Sequence, residues 1–133
     1  MKIKDRKIKI LEDTYLRKHK RIDYEKNVIY ILTTEENKKN RIYIIGKAVN
    51  LTNRLSSYNK TAEHEVIHYK ECLNEDVMTT IENMVLIKLT NYREIANRDR
   101  FVLPLEKDIN FFINIVNDCI KFFSQEESDN DSL

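Results

Sequence analysis

Residues 45–58 read IGKAVNLTNRLSSY, and this stretch joins a predicted strand to a predicted helix. It contains Gly46, the only glycine of the chain. Glycine at a strand exit suits a positive φ or the close approach of another group to the backbone. The pattern therefore predicts a special turn at Gly46, although a glycine that simply ends a strand is the plainer interpretation.

The second half of this stretch predicts a short helix over Leu51–Asn59. Asn50 stands where its side chain would cap that helix, and Leu51 and Leu55 would share its inner face. Arg54 and Tyr58 are four residues apart, so they would project from one face of the helix. The planar donors of Arg54 suit a phosphate group, although a surface salt bridge is the ordinary role of such a residue.

Three segments have strand character. β-branched and aromatic residues crowd Asn27–Leu32 and Arg41–Ile45, and Glu65–Glu71 alternates apolar with polar residues. The first two predict an antiparallel hairpin, joined by a hydrophilic loop over residues 33–40. The sequence thus predicts a small three-stranded antiparallel sheet.

Apolar residues at helical spacing predict two longer helices after the third strand. One runs from Asp76 to about Tyr92, with Asn74 or Asp76 as its cap, and the other carries the apolar stripe of residues 109–123. A short extended piece at residues 101–104 separates them and ends at the only proline. The predicted fold class is therefore α+β, with the sheet flanked by helices.

The two ends of the chain differ in charge. Residues 1–21 hold nine Lys or Arg and three acids, which predicts a basic N-terminal helix, whereas residues 124–133 predict an acidic disordered tail. Lys18, Lys20 and Arg21 are candidate nucleic-acid contacts, although a solvated helix face explains the same charges. The 133 residues thus divide into an arm at 1–24, one domain at 25–123 and the tail.

The composition argues against several classes of protein. The sequence shows neither a long apolar span nor a secretory signal, so we expect an intracellular protein without a membrane partner. Cys72 and Cys119 stand apart, which predicts buried, reduced thiols rather than a disulfide or a zinc site. His64 and His68 share strand parity and would face one side, but without a carboxylate or cysteine at ligand spacing.

Three parts of the chain resemble the GIY-YIG nuclease superfamily. Residues 46–58 follow the form Gly-Lys-Ala-x-Asn-Leu-x-x-Arg-x-Ser-Ser-Tyr, which is typical of the nuclease module of UvrC excision-repair proteins. Residues 28–30 resemble the family's Gly-Ile-Tyr strand, and the segment around Glu82 resembles the helix with its metal-binding glutamate. GIY-YIG-like domains at the C-terminal ends of phage and large DNA virus proteins are similar as well.

The resemblance implies a DNA endonuclease that hydrolyses phosphodiester bonds with one Mg²⁺ or Mn²⁺. The implied roles are general base for Tyr30, phosphate stabilisation for Arg54, and positioning of water or phosphate for Tyr58. Glu82 would bind the metal, and Lys47 would lie near the phosphates. DNA is the implied partner, together with a second copy of the chain or a fused DNA-binding domain.

Two departures from the family pattern leave the activity open. Val28 replaces the first glycine, and Ile44 stands where Tyr-Ile-Gly has its tyrosine, because the tyrosine here is Tyr43. Side chains alternate along a strand, so Tyr43 should face away from the site unless a bulge brings it back. The hypotheses are therefore a nuclease, a DNA-binding module that has lost turnover, and a protein interaction domain.

Overall fold

The computed structural model describes residues 26–132, with side chains described as far as residue 123. The elements in chain order are β1 (Lys26–Thr33), α1 (Glu35–Lys39), β2 (Ile42–Asn50), α2 (Leu51–Tyr58), β3 (Glu65–Glu71), α3 (Glu75–Lys88), a 3-10 turn (Thr90–Tyr92), β4 (Arg100–Val102) and α4 (Asn110–Ser132). This confirms the α+β class. The predicted basic helix at the N-terminus lies outside the described residues, as do Lys18, Lys20 and Arg21.

The sheet is antiparallel and has the strand order β3-β1-β2-β4. Our prediction of three strands was wrong by one, because the extended piece after residue 99 pairs with the start of β2 as β4. A strand of three residues is too short to display an alternating pattern, so the sequence gives no periodic signal for it. Its pairing covers only Ile42–Ile44, the first three residues of β2.

Helices cover both faces of the sheet, and each face has its own apolar core. The helices α3 and α4 pack on one face, against Ile29, Ile31 and Ile45 of the central strands. The short helix α2 packs on the other face, where Tyr30 and Ile44 belong to its cluster. The period of two along β1 and β2 thus sends neighbouring residues to opposite helical layers.

Side-chain caps explain where the first helices begin. Asn50 accepts a hydrogen bond from the Asn53 N–H at 3.1 Å, which confirms it as the cap of α2. Thr34 accepts from the Asn37 N–H at 3.0 Å, so a short helix replaces the loop that we predicted over residues 33–40. The two glutamates in its first turn and the two lysines in its last turn oppose the helix dipole favourably.

The two longer helices differ from prediction at their C-terminal ends. Asn74 caps α3 through the Val77 N–H at 2.8 Å, but α3 stops at Lys88 and a 3-10 turn takes up residues 90–92. The backbone of α4 continues to Ser132, through residues that we predicted to be disordered. That segment contains no glycine or proline to end a helix, and Gln and Glu are good helix formers.

Both cysteines are buried, with free thiols. The pKa of the Cys72 thiol is raised to about 11. Burial is the largest influence and raises it, a backbone hydrogen bond with Ile29 lowers it, and the neighbouring Glu71 carboxylate raises it. Burial also raises the pKa of Cys119.

Among the described helices, none combines the length and the apolar character that crossing a membrane requires.

The site lies beside the part of the β2 edge that β4 leaves uncovered. Beyond the short ladder with β4, the Ile45 N–H donates to the Asp99 carbonyl at 3.0 Å. From Gly46 onward, no described strand covers this edge of β2. Residues from both faces of the sheet can therefore reach the same space beside Gly46.

Candidate active site

Tyr30 lies in β1 directly opposite Gly46 in β2. Its ring is 2% exposed, and a Cβ at position 46 would lie 2.8 Å from its hydroxyl oxygen. Gly46 therefore gives room to the Tyr30 side chain, as the close-approach interpretation of this glycine requires. The special turn that we predicted there was wrong, because β2 continues to Asn50 and Gly46 does not have a positive φ.

Tyr58, from the last turn of α2, meets Tyr30 across this site. The two hydroxyl oxygens are 3.3 Å apart, and the rings form an edge-to-face pair with centroids 6.3 Å apart. The Tyr58 hydroxyl also donates to Asp99 Oδ2 at 3.3 Å. A line of three oxygen-bearing groups therefore leads from β1 to the loop before β4.

Tyr58 keeps its proton over the ordinary pH range. Burial is the largest influence, and the Tyr30 hydroxyl and the Asp99 carboxylate add to it, so that the pKa of Tyr58 is raised well above its usual value. A phenol in this setting serves as a hydrogen-bond donor and acceptor rather than as an anion.

Lys47 and Glu82 approach from the other face of the sheet. Lys47 follows Gly46 in β2, and its Nζ lies 3.8 Å from Glu82 Oε1 on α3. The same Nζ donates to Thr79 Oγ1 at 3.3 Å, one turn earlier on that helix. The Glu82 side chain is 19% exposed, so its carboxylate faces the site rather than open solvent.

These side chains line one cavity of about 350 Å³. The groups that surround it are Tyr30, Ile45, Gly46, Lys47, Arg54, Tyr58, Glu82, Leu86, Arg93, Arg98 and Asp99. Arg54 is exposed on α2, and within the described residues no carboxylate lies at ion-pair distance from its guanidinium. The structure thus brings together all five residues that the sequence suggested for catalysis.

Three charged residues of this cavity were not predicted from the sequence. Arg93, Arg98 and Asp99 come from the loop between α3 and β4. The run of charges at residues 98–100, just before the extended piece, was the signal in the sequence that could have found two of them.

A sequence model of the T5orf172 domain matches residues 27–124, which is well over half of the chain. The chain belongs to the T5orf172 domain family. This family is associated with phage and is related in structure to nucleases, and membership indicates a nuclease or DNA-binding role. Comparisons with curated proteins and with solved structures found no match.

The T5orf172 domain turns Tyr43 away from the face of the sheet that carries Tyr30. Ile44 shares the α2 side of the sheet with Tyr30, whereas Tyr43 packs edge-to-face on Phe112 of α4, with ring centroids 6.2 Å apart. The pairing of β1 with β2 is regular, so no bulge returns Tyr43 to the site. Val28 is buried in the α2-side cluster and does not line the cavity.

The two histidines separate as well, contrary to our expectation from parity. The His64 ring lies 5.0 Å from the Tyr58 ring on the α2 side, whereas His68 Nε2 is 2.8 Å from Asn117 Oδ1 of α4. A register shift between β1 and β3 at Ile31 interrupts the alternation that we assumed.

The Glu82 carboxylate of the cavity suits a hard cation. Among the described residues, His, Cys, Asp and Glu side chains nowhere gather in threes, as a complete protein ligand set for zinc requires. Mg²⁺ commonly takes only one or two carboxylates and completes its shell with water and phosphate oxygens. Glu82 supplies one such carboxylate to the cavity, which fits Mg²⁺ or Mn²⁺.

Proposed function

We propose that this T5orf172 domain is a metal-dependent DNA endonuclease of the GIY-YIG type that hydrolyses phosphodiester bonds. One observation carries the proposal: a phenol from β1, a guanidinium from α2 and a carboxylate from α3 line the same cavity. Tyr30, Arg54 and Glu82 come from different elements, so their convergence is not a consequence of sequence proximity. The same three residue types match the three motifs of the resemblance.

The cationic groups of the cavity fit a phosphodiester. Arg54 presents a fork of donors with no carboxylate partner among the described residues, and such a fork binds phosphate oxygens in pairs. Lys47 adds a positive charge from the other face of the sheet, where it pairs with Glu82 of α3. These two groups would hold the phosphate and stabilise the negative charge that develops on it during attack by water.

Tyr30 would act on the water molecule and Glu82 on the metal. A phenol oxygen in hydrogen-bond reach of a bound water can take its proton as the water attacks phosphorus. Glu82 would hold Mg²⁺ or Mn²⁺, which supplies Lewis acidity to the phosphate and its leaving oxygen when bound. Because Lys47 already pairs with this carboxylate, the lysine would move toward the phosphate when the carboxylate binds a cation.

A DNA-binding module without turnover is the second candidate function. Ile44 favours it, because an apolar side chain stands on the Tyr30 face where the Tyr-Ile-Gly motif of the GIY-YIG resemblance has a phenol. Tyr58 favours the enzyme instead, because it brings a second hydroxyl to 3.3 Å from that of Tyr30. The two candidates share the DNA partner and differ only in whether a bond is broken.

Incubation of supercoiled plasmid with the protein and Mg²⁺ or Mn²⁺ separates them. We expect conversion to nicked circles, with Glu82→Gln and Arg54→Met each reducing the rate at least about 100-fold. Glu65→Gln and Lys60→Met are the matched controls, because both remove an exposed charge outside the cavity.

Two outcomes would contradict the enzyme. Nicking that survives in Glu82→Gln and Arg54→Met, with the plasmid cut by every variant alike, would point to a contaminating nuclease and overturn the proposal. Plasmid binding that weakens steeply with salt, without any nicking in either metal, would establish the binding module.

A further inference from the structure

The hydroxyl of Tyr58 links Tyr30 to a carboxylate, and the direction of this link is fixed by its protons. The Asp99 carboxylate has no proton to give, so Tyr58 donates its single proton to Asp99 Oδ2. The Tyr58 oxygen can then only accept from Tyr30 across their 3.3 Å contact. The Tyr30 proton therefore points toward Tyr58, and its remaining lone pairs are available on the cavity side.

We propose that Asp99 is a positioning residue for the hydrolysis: it orients the two phenols and receives, through them, the proton that the attacking water loses. This inference rests on the proposed nuclease function and extends it to a residue that the sequence resemblance did not include. It explains how Tyr30 can act as a base although a phenol holds its proton at neutral pH.

Every proton of the step has a donor and an acceptor, and neither tyrosine is left ionised. The water oxygen bonds to phosphorus while one water proton passes to the Tyr30 oxygen. The Tyr30 proton passes to Tyr58, and the Tyr58 proton passes to Asp99. The bond between phosphorus and the leaving sugar oxygen breaks, its electron pair stays on that oxygen, and the oxygen takes a proton from solvent.

The position of Asp99 suits the end of such a relay. Asp99 is exposed, so its carboxyl group can return the proton to solvent before the next turnover. Both tyrosines are again neutral after the step, which agrees with the buried setting that keeps Tyr58 protonated. Arg93 and Arg98 line the same cavity and keep its overall charge favourable for a phosphate.

The loop that carries Asp99 is held by other contacts. Its backbone carbonyl accepts from the Ile45 N–H at 3.0 Å, and the Arg100 N–H donates to the Asn97 carbonyl at 3.0 Å. The Arg93 guanidinium lies over the Phe101 ring, 5.8 Å from its centroid, and donates to the Arg98 carbonyl. The Asp99 carboxylate is therefore not needed to keep the loop in place, which leaves its link to Tyr58 as its role.

The test compares Asp99→Asn, Asp99→Ala and Tyr58→Phe with the wild-type protein in single-turnover nicking. We expect each variant to lose about 100-fold or more in rate, within the usual range for general acid–base groups, while DNA affinity stays the same or rises. Asp99→Asn added to Tyr58→Phe should cost nothing more, because the relay is already broken. Glu94→Gln is the matched control, since it neutralises an acid of the same loop that does not line the cavity.

Two readouts separate a proton relay from a structural contact. Formate should restore part of the Asp99→Ala rate, because an exposed position admits a small carboxylate, and it should leave Tyr58→Phe unchanged. The solvent deuterium isotope effect of the wild-type protein should exceed that of Asp99→Asn. Unaltered rates in Asp99→Asn, or equal losses in DNA affinity and rate, would overturn the relay alone. A wild-type protein that nicks no plasmid would overturn the proposed function and the relay with it.

Discussion

The Tyr30 hydroxyl occupies the space that a side chain at Gly46 would need, with its oxygen 2.8 Å and its Cζ 3.0 Å from the position of a Cβ there. The two residues face each other in the central ladder of the sheet. Gly46 is thus required by the tyrosine that crosses it rather than by a backbone turn. The chain's only glycine and its candidate base form one structural unit.

Replacement of Gly46 by alanine should displace Tyr30. The ring is buried and rigid, so the added methyl group cannot be relieved by a flexible chain end, and overpacking of this kind costs about 1–3 kcal/mol. We expect Gly46→Ala to lower the free energy of unfolding by that amount in urea denaturation, and to abolish plasmid nicking.

A double-mutant cycle checks the cause of that loss. Tyr30→Phe removes the hydroxyl oxygen that makes the closest contact, so Gly46→Ala should destabilise Tyr30→Phe less than it destabilises the wild-type protein. Equal destabilisation in both backgrounds would show that the glycine serves something other than the tyrosine.

Asn50 controls the helix that carries Arg54 and Tyr58. Its side chain satisfies the Asn53 N–H at the start of α2, and loss of such a cap costs about 1 kcal/mol. We expect Asn50→Ala to lower stability by about that amount in urea denaturation and to slow nicking. Asn50→Asp keeps an acceptor at the cap and should retain most of the stability, whereas equal losses in both variants would mean that the cap is not the cause.

The stability of the domain should fall at high pH because of Cys72. The folded pKa of about 11 lies above the ordinary value of 9.0, so folding favours the neutral thiol. This contribution is complete below pH 9 and is lost as the pH rises toward 11. It amounts to at most about 2–3 kcal/mol, since one pKa unit corresponds to about 1.4 kcal/mol.

Urea denaturation of the wild-type protein and Cys72→Ala at pH 8, 9, 10 and 11 measures this contribution. The stability advantage of the wild-type protein should shrink over the upper part of the range. An advantage that stays constant from pH 8 to pH 11 would contradict the raised pKa.

Local periodicity accounts for the parts of the site that could be predicted from the sequence. The spacing of Arg54 and Tyr58 placed them on one helix face, and the structure brings both to the cavity. Alternation along β2 placed Tyr43 on the face away from Tyr30, and the structure confirms this. In each case a period of 3.6 or 2 residues determines the direction of the side chain.

The parts that the sequence did not predict depend on contacts between distant residues. Asp99 and Tyr58 are 41 positions apart, and their hydrogen bond exists only because β4 pairs with the start of β2. A three-residue strand leaves no pattern from which that pairing could be inferred. The helix over Glu35–Lys39 was missed for a different reason, since its cap was read as part of a polar loop.

A substitution at Tyr43 tests whether this tyrosine takes part in the chemistry or only in the packing of the domain. Its ring is 6% exposed and packs on Phe112, on the side of the sheet occupied by α3 and α4. Tyr43→Phe keeps that packing and removes only a hydroxyl that lies away from the cavity. We therefore expect nicking at the wild-type rate and a change in unfolding free energy below about 1.5 kcal/mol.

Tyr30→Phe and Tyr58→Phe make the same chemical change at positions that line the cavity, and both should lose nicking activity. Loss of activity in Tyr43→Phe at unchanged stability would place Tyr43 in the chemistry. Because β1 and β2 pair regularly, that result would require β2 to shift by one residue, and such a shift would turn Ile45 and Gly46 to the wrong faces as well.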